Sequence, residues 1–362
     1  MSVYHHSTNT LHFCSWLKNG KIKKGYRYTM KKERVISAIA HKNTAPVPHS
    51  IDLTVPLEGR LCDHLKIKHE DVWDWFDNHI EEAKYRKGSW LPGEIYQDPF
   101  GVKWDRSGAD KDIGIIMEYI LKEPEIGSYR VPEPDLDFVD ELSIKMTQNG
   151  RDSYKFGKIG FSLFERAWSL RGLENFLADL AGEEKFVCEL FEQILDYNMK
   201  IIDRALTYPI DGFFVGDDYG QQRGLMMSPA TWRKFIKPNL AAMFEKAKSA
   251  GRTVALHSCG DLSAILGDLV DIGLDIYQTV QPEIYGLKKI KENFGAHLTF
   301  WGGISTQKAL PYVSPAEVKK IAREAIEILG KGGGYIAAPT HQVPADVPVE
   351  NIIALSEAFK NQ

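Results

Sequence analysis

Two histidines and a cysteine carry the clearest chemical signal in the sequence. His257 and Cys259 stand two residues apart at the end of the apolar run Val254–His257. Because side chains at i and i+2 of a strand point to the same side, both could face one pocket. Zinc favours this mixture of imidazole nitrogen and thiolate sulfur. His341 follows another apolar run. It would complete three protein ligands with one open position, the pattern of a catalytic zinc site.

A bare His-x-Cys spacing also has a simpler interpretation, in which the cysteine is buried and the histidine is hydrogen-bonded without a metal. The position of all three residues at the ends of apolar runs favours the metal hypothesis. Gln278 and Glu283 follow a neighbouring run. Either could complete the ligand shell or orient a ligating histidine.

An acidic pair, Asp217 and Asp218, comes directly after the apolar run Gly212–Val215 and its glycine. One of two adjacent carboxylates can face a site, where it could act as a general acid or base or stabilise a cation. The alternative is a capping or loop role. Asp217 has the better claim to a catalytic role if Val215 points inward.

Further polar and aromatic residues near the ends of apolar runs are candidates for binding a substrate. They are Glu165, Arg166, Gln222, Arg223, Gln278 and Trp301. Arginine and glutamate side chains could orient a polar substrate, or they could form an ion-pair network that closes the fold. Gathered at the ends of strands, such residues favour an enzyme over a structural protein.

Short apolar runs alternate with amphipathic helical segments along the chain, and the runs read as parallel strands buried on both faces. The predicted strands are Val47–Leu53, Ile159–Leu163, Gly212–Val215, Val254–His257, Ile276–Val280, Leu298–Trp301 and Tyr335–Ala338. An eighth is expected within residues 90–150, together with an insertion. The pattern predicts an α/β fold, the (β/α)8 TIM barrel, with its site at the carboxyl ends of the strands. An open doubly wound sheet is disfavoured because no GxGxxG follows the first strand.

The chain has 362 residues and a formal charge of −4, with 43% hydrophobic and 26% charged residues. This composition is ordinary for a globular enzyme, and the slight acidity argues against nucleic-acid binding. Four cysteines without a CxxC pair, and no apolar stretch long enough to cross a membrane, predict a cytoplasmic protein. The sequence also predicts a basic, disordered extension over residues 1–29 and one barrel domain over 30–362 with an insertion around 90–150.

From Gly157 to Asn351 the sequence resembles the uroporphyrinogen decarboxylase superfamily, and within it the branch of zinc-dependent corrinoid and thiol methyltransferases. The matching stretches are GFSLFERAW at 160–168, GDDYGQQRGLMMSP at 216–229, ALHSCGDL at 255–262 and GGYIAAPTHQVPADVPVEN at 333–351. The resemblance implies an eight-fold barrel. It also implies that His257 and Cys259 match the HxC ligands of that branch, with His341 at the position of its third ligand, a cysteine.

The resemblance further implies zinc as a cofactor and a small methylated donor or thiol as substrate. The corrinoid would be carried by a separate protein or bound as a free cofactor, because the chain has no DxHxxG corrinoid-binding motif. Tetrapyrrole decarboxylases of the family carry an arginine-rich loop after the first strand, where this chain has only Arg60. Two alternatives stay open: a metal-free decarboxylase that depends on Asp217 or Asp218, and a non-catalytic barrel that binds a small molecule.

Overall fold

A computed structural model describes residues 30–108 and 113–362. The predicted basic extension over 1–29 lies outside the described residues. None of the helices in the described ranges combines the length and the apolar character needed to cross a membrane.

The strands are β1 Ile80–Lys84, β2 Ser89–Leu91, β3 Ile95–Gln97, β4 Lys103–Asp105, β5 Ile115–Ile116, β6 Tyr154–Ile159, β7 Gly212–Gly216, β8 Gly220–Gln221, β9 Gly224–Leu225, β10 Thr253–His257, β11 Ile276–Val280, β12 Thr299–Ile304 and β13 Tyr335–Pro339. The helices are α1 Lys31–Ile39, α2 Val55–Leu65, α3 Val72–Trp75, α4 Leu136–Thr147, α5 Phe164–Arg171, α6 Leu173–Gly182, α7 Glu184–Ala205, α8 Pro229–Phe235, α9 Lys237–Ser249, α10 Leu266–Asp271, α11 Pro282–Tyr285, α12 Leu287–Phe294, α13 Pro315–Leu329 and α14 Val349–Lys360. A short 3-10 turn, His69–Asp71, precedes α3.

Seven strands form one parallel sheet in the order β1-β6-β7-β10-β11-β12-β13. Each connection between neighbours in the chain passes through at least one helix, for example α13 between β12 and β13. Parallel strands need such crossovers because a tight turn can join only antiparallel neighbours. The α/β class and the parallel sheet that the sequence predicts are therefore observed.

The segment predicted as the first strand lies beside the last one without forming a regular ladder. His49 and Leu53 make isolated parallel bridges to Ala337 and Val343. On the other side, the backbone N–H of His79, just before β1, donates to the carbonyl of His49 at 3.0 Å. Residues 48–53 thus connect to both edges of the seven-stranded sheet, by several backbone hydrogen bonds on the β13 side and by the bond from His79 on the β1 side.

Two strands differ from the prediction. The strand expected within 90–150 lies earlier, at β1, whose residues Ile80–Lys84 include Glu81 and Glu82. A search for apolar runs does not find β1, because these two residues are charged. Both charges are paired, Glu81 with Arg151 at 3.0 Å and Glu82 with Lys158 at 2.8 Å. The predicted strand Ile159–Leu163 begins where β6 ends, because two lysines interrupt the apolar pattern of β6.

Within 90–150 the chain instead forms a four-stranded antiparallel sheet, in the order β2-β3-β4-β5, and helix α4. This small sheet lies in the range where the sequence predicts an insertion. Its strand β4 contributes the buried Trp104.

The inner face of the parallel sheet is filled by its own side chains. Phe156, Phe214 and Trp301 pack together, with ring centroids of Phe214 and Trp301 5.2 Å apart. Such packing makes the interior a solid core rather than a pore. Side chains at the carboxyl ends of the strands therefore meet above it, at the mouth.

Candidate metal site and active-site cavity

The structure brings the three predicted metal ligands together at the mouth of the sheet. His257 ends β10, Cys259 follows it by two residues, and His341 follows the end of β13. Their candidate ligand atoms all lie within 4.8 Å of one another. The Sγ of Cys259 is 3.6 Å from Nε2 of His257, and the two imidazole rings meet edge to face at 5.4 Å between centroids.

The orientation of the His257 ring is set by Gln278 on β11. The Nδ1 of His257 is hydrogen-bonded to Oε1 of Gln278. Because an amide oxygen can only accept, Nδ1 is the donor of this bond, and in the neutral ring Nε2 keeps its lone pair. The free Nε2 is the atom that faces Cys259, as a metal ligand should.

The protonation states of the other two residues are consistent with a metal site. Solvent reaches His341, yet the cavity walls around its ring desolvate it. That desolvation and the neighbouring His257 lower the pKa of His341 to about 4, so the ring is neutral near pH 7. Burial raises the pKa of the Cys259 thiol, and the negative charge of Asp218 raises it further. A divalent cation would reverse that rise by favouring the thiolate. Two imidazole nitrogens and one sulfur are donors that fit zinc.

The two residues of the acidic pair, Asp217 and Asp218, have different hydrogen-bond partners. Asp217 is fully buried, and its carboxylate accepts three backbone N–H groups at the start of α5: from Leu163 at 3.2 Å and from Phe164 and Glu165 at 2.8 Å each. Burial raises the pKa of Asp217 to about 7, although these donors oppose the rise. Asp217 does not line the cavity, so it holds α5 in place rather than contacting a substrate.

Asp218 faces the opposite way, toward the candidate ligands. Its Oδ1 accepts the backbone N–H of Cys259 at 2.8 Å and lies 3.5 Å from Nε2 of His257. Glu165, at the first turn of α5, lies beside Asp218 and also lines the cavity. Burial raises the pKa of Glu165 well above its ordinary value, and the charges of Asp218 and Asp217 raise it further. The mouth therefore holds Asp218 beside the candidate ligands and, at Glu165, a carboxyl group that tends to keep its proton.

These groups line a cavity of about 1200 Å³. Of the predicted substrate-binding residues, Glu165, Gln278 and Trp301 line it. The indole N–H of Trp301 donates to Oγ of Ser50 at 2.9 Å, which fixes the ring at the cavity floor.

The other three predicted substrate-binding residues do not reach the cavity. Arg166 is buried and pairs with Asp98 at 2.6 Å. Gln222 and Arg223 are exposed in the turn between β8 and β9. Glu283, considered as a further ligand, accepts a hydrogen bond from Oγ of Ser305 and does not line the cavity either.

Sequence reasoning missed several charged residues of the cavity wall. They are Asp52, Glu82, Lys84, Arg86 and Lys158. Lys84 pairs with Asp52 at 3.1 Å and Lys158 with Glu82 at 2.8 Å. Three of the five belong to β1 or follow it. Recognition of β1 as a strand would have placed them at a strand end, where site residues are expected.

Comparison with known proteins identifies the family and the fold of the chain. The family model of uroporphyrinogen decarboxylase (URO-D) matches residues 159–362, more than half of the chain. A methylcobamide:CoM methyltransferase MtaA of Methanosarcina barkeri is 29% identical over 202 residues, 52% of this chain and 56% of that protein. The MtaA of Methanosarcina barkeri strain Fusaro is 28% identical over 202 residues. The chain thus matches about half the length of these curated relatives.

A solved structure described as a methyltransferase from Methanosarcina mazei superposes with a TM-score of 0.70. It covers 92% of this chain and 98% of its own, at 19% sequence identity. At that identity the likeness establishes the fold. A match over 92% of the chain extends beyond residues 159–362, so most of the described residues before 159 belong to the shared fold as well.

Proposed function

The chain belongs to the uroporphyrinogen decarboxylase family, and from this premise we propose that it is a zinc-dependent methyltransferase. It would move a methyl group between a small methylated donor or thiol and a corrinoid. The observation that carries the proposal is the grouping of His257, Cys259 and His341, whose ligand atoms lie within 4.8 Å of one another. The name of the MtaA relatives, methylcobamide:CoM methyltransferase, supports a corrinoid and a methyl acceptor.

His257, Cys259 and His341 would hold the zinc, with a position left open to the substrate. Zinc bound there would act as a Lewis acid that lowers the pKa of a substrate thiol near neutral pH. Gln278 keeps Nε2 of His257 free for the metal through its bond to Nδ1. Asp218, whose Oδ1 accepts the backbone N–H of Cys259, would accept the thiol proton on its other carboxylate oxygen.

Glu165, beside Asp218, would act on a polar atom of the substrate. Its raised pKa lets its carboxyl group hold a proton in the cavity, so it can donate a hydrogen bond to a polar atom of the substrate. Asp217 supports this arrangement indirectly, because it holds the turn that carries Glu165. Trp301 forms the floor against which the substrate would pack.

We also infer that residues 48–53 take the position of the eighth strand and close the barrel. We further infer that residues 30–362 form one domain with an insertion around 90–150. The support is the pair of parallel bridges from His49 and Leu53 to the last strand region, together with the bond from His79. The corrinoid would be delivered by a separate protein or bound as a free cofactor.

Two measurements test the function. Protein purified without added zinc is analysed for bound metals, and zinc is expected in stoichiometric amount. The loaded protein is then mixed with methylcobalamin and a panel of small thiols. Loss of the methylcobalamin absorption with formation of the methyl thioether is expected. A protein that binds no zinc and transfers no methyl group, but releases carbon dioxide from a carboxylated substrate, would contradict the proposal in favour of a decarboxylase.

A further inference from the structure

Arg86, two residues beyond β1, is a cation on the cavity wall that lacks a strong partner. Its Nε is buried and has no hydrogen-bond partner among the described residues. Its ion pair, between Nη2 and Oδ2 of Asp98, is long at 3.7 Å, and the exposed fraction of its side chain is 25%. The Nε itself is closed off, so a ligand in the cavity would meet the exposed part of the side chain, whose charge the long ion pair compensates only weakly.

Asp98 cannot serve Arg86 better, because other donors already occupy its carboxylate. Its Oδ1 accepts backbone N–H groups from Phe100 at 2.9 Å and Val102 at 3.1 Å. Its Oδ2 accepts the indole N–H of Trp104 at 3.2 Å and Nη1 of Arg166 at 2.6 Å. A carboxylate offers about four lone-pair sites, and four donors fill them here. Arg166 neutralises Asp98, which leaves Arg86 as the surplus cation.

Aromatic rings hold the guanidinium of Arg86 in place. It lies 4.7 Å from the ring centroid of Phe161, 5.8 Å from Trp104 and 5.9 Å from Tyr96. Such contacts stabilise the cation and fix the direction of its donors without using any of them. Burial and the neighbouring Arg166 lower the pKa of Arg86 to about 10, so the group stays charged at neutral pH.

Two further cations of the cavity wall differ from Arg86 because each is paired with an acidic side chain. Lys84 pairs with Asp52 and Lys158 with Glu82. Neither lysine therefore needs a ligand for its charge. Arg86 combines a weakly paired charge, a held orientation and access to the same cavity as the candidate metal ligands.

We propose that Arg86 is the receptor for an oxyanionic group of the substrate, such as a carboxylate or a sulfonate. The planar fork of a guanidinium matches two oxygens of such a group. The inference rests on the proposed function in one respect: the sulfur of a thiol substrate would lie at the metal ligands while its acidic group lies at Arg86. The substrate is then a small thiol acid, or the acid that carries the methyl group.

The test compares matched ligands on the zinc-loaded full-length protein by titration calorimetry. The probes are ω-mercaptoalkanoates and ω-mercaptoalkanesulfonates of increasing chain length, each compared with the ω-mercaptoalkanol of equal length. At the best length we expect an acid to bind about tenfold or more tightly than the alcohol, the preference typical of charge-assisted hydrogen bonds. The affinities of the carboxylate series and the sulfonate series are compared to show which oxyanion fits.

Variants assign this preference to Arg86. In Arg86→Gln the acid and the alcohol should bind equally, and in Arg86→Lys the preference should fall without vanishing, because charge remains but the fork is lost. Arg106→Gln is the matched control. Arg106 also lies over Tyr96, at 4.2 Å, but does not line the cavity. Its substitution should leave the preference unchanged. Melting temperatures verify that each variant is folded.

Equal binding of acids and alcohols by the wild type, including no binding of either, would overturn the proposal. A preference for acids over alcohols that persists in Arg86→Gln would also overturn it. If Arg86→Gln does not fold, an undiminished preference in Arg86→Lys would overturn it instead. Failure of the proposed function gives a different result. Hydroxyalkanoates would then bind as tightly as mercaptoalkanoates, while the preference for acids over alcohols and its loss in the Arg86 variants would remain.

Discussion

His257 and Gln278 are direct partners in the parallel ladder between β10 and β11, and their side chains are joined by a hydrogen bond. The backbone strengthens this relationship, since the N–H of Ser258 donates to the carbonyl of Gln278 at 2.8 Å. The glutamine is therefore fixed by the sheet itself. A ligand histidine oriented in this way reaches the mouth with its tautomer already selected.

We expect Gln278→Ala to weaken zinc binding about 10–100-fold, because the His257 ring loses the acceptor that orients it. Competition with a chromophoric chelator measures the affinity. Gln278→Glu, which keeps an acceptor at the same place, should retain most of it. Gln148→Ala, at an exposed position after α4, is the control. Wild-type affinity in Gln278→Ala would show that the hydrogen bond does not support a ligand.

Substitution of the ligands themselves should remove zinc without unfolding the protein. His257→Ala, Cys259→Ser and His341→Ala are expected to contain little zinc after dialysis, as measured by elemental analysis. Their melting temperatures should change little, because the site lies on a fold with its own buried core. Cys188→Ser is the matched cysteine control, since Cys188 is exposed on α7. Equal zinc content in all these proteins would refute the metal site.

Asp218→Asn should reduce methyl transfer strongly while the fold stays intact. A group that moves a proton in the reaction typically contributes about 10²–10⁴-fold to the rate. The rate is measured with saturating zinc, so that a change in metal affinity does not enter. An unchanged rate would mean that Asp218 only holds the backbone N–H of Cys259.

Asp217→Asn should act on stability instead. The amide has one acceptor oxygen, and its NH2 group would face N–H donors at the start of α5. We expect a loss of about 1–3 kcal/mol in the free energy of unfolding, the usual cost of buried donors left without an acceptor. Urea denaturation measures it, with Asp218→Asn as the comparison. If the two variants are equally stable, Asp217 is not the anchor of α5.

Acid should destabilise the protein through a buried histidine pair at the opposite end of the sheet. Burial lowers the pKa of His49 to about 4 and also lowers that of His79. Unfolded histidine titrates near pH 6.5, so between about pH 6.5 and 4 the unfolded chain binds more protons and stability falls as pH falls. For His49 the loss is about 3 kcal/mol at most, at 1.36 kcal/mol per pKa unit.

Urea denaturation between pH 7.5 and 5 measures this slope. His49→Gln removes the titrating group and should flatten the curve, while His64→Gln, at an exposed position of α2, should not. Parallel curves for wild type and His49→Gln would contradict the assignment.

The candidate metal ligands could be predicted from the sequence because their relationship is local. His257 and Cys259 share a strand end, and the end of a parallel strand marks the face on which a site forms. His341 was found by the same rule at another strand. The division between Asp217 and Asp218 could not be predicted, since it depends on which carboxylate meets the N–H groups of α5, a contact between residues more than fifty positions apart.

Charge pairing explains the rest of what was missed. In β1 the side chains of Glu81 and Glu82 are neutralised by Arg151 and Lys158, partners remote in the sequence. An apolar-run criterion discards such a strand because it scores each charge as if it were unpaired. Arg86 was overlooked with it, together with the ion pairs of the cavity wall.

The three candidate ligands reach the mouth by unequal routes. His257 and Cys259 come from one strand end, whereas His341 comes from beyond β13, with β11 and β12 between. Two ligands therefore arrive on a single piece of backbone, and the third depends on how the sheet spaces β10 from β13. Any distortion that parts those strands would break the third bond first. Zinc release should then pass through a two-ligand state, and the residence time of the metal would report how tightly this half of the sheet is held together.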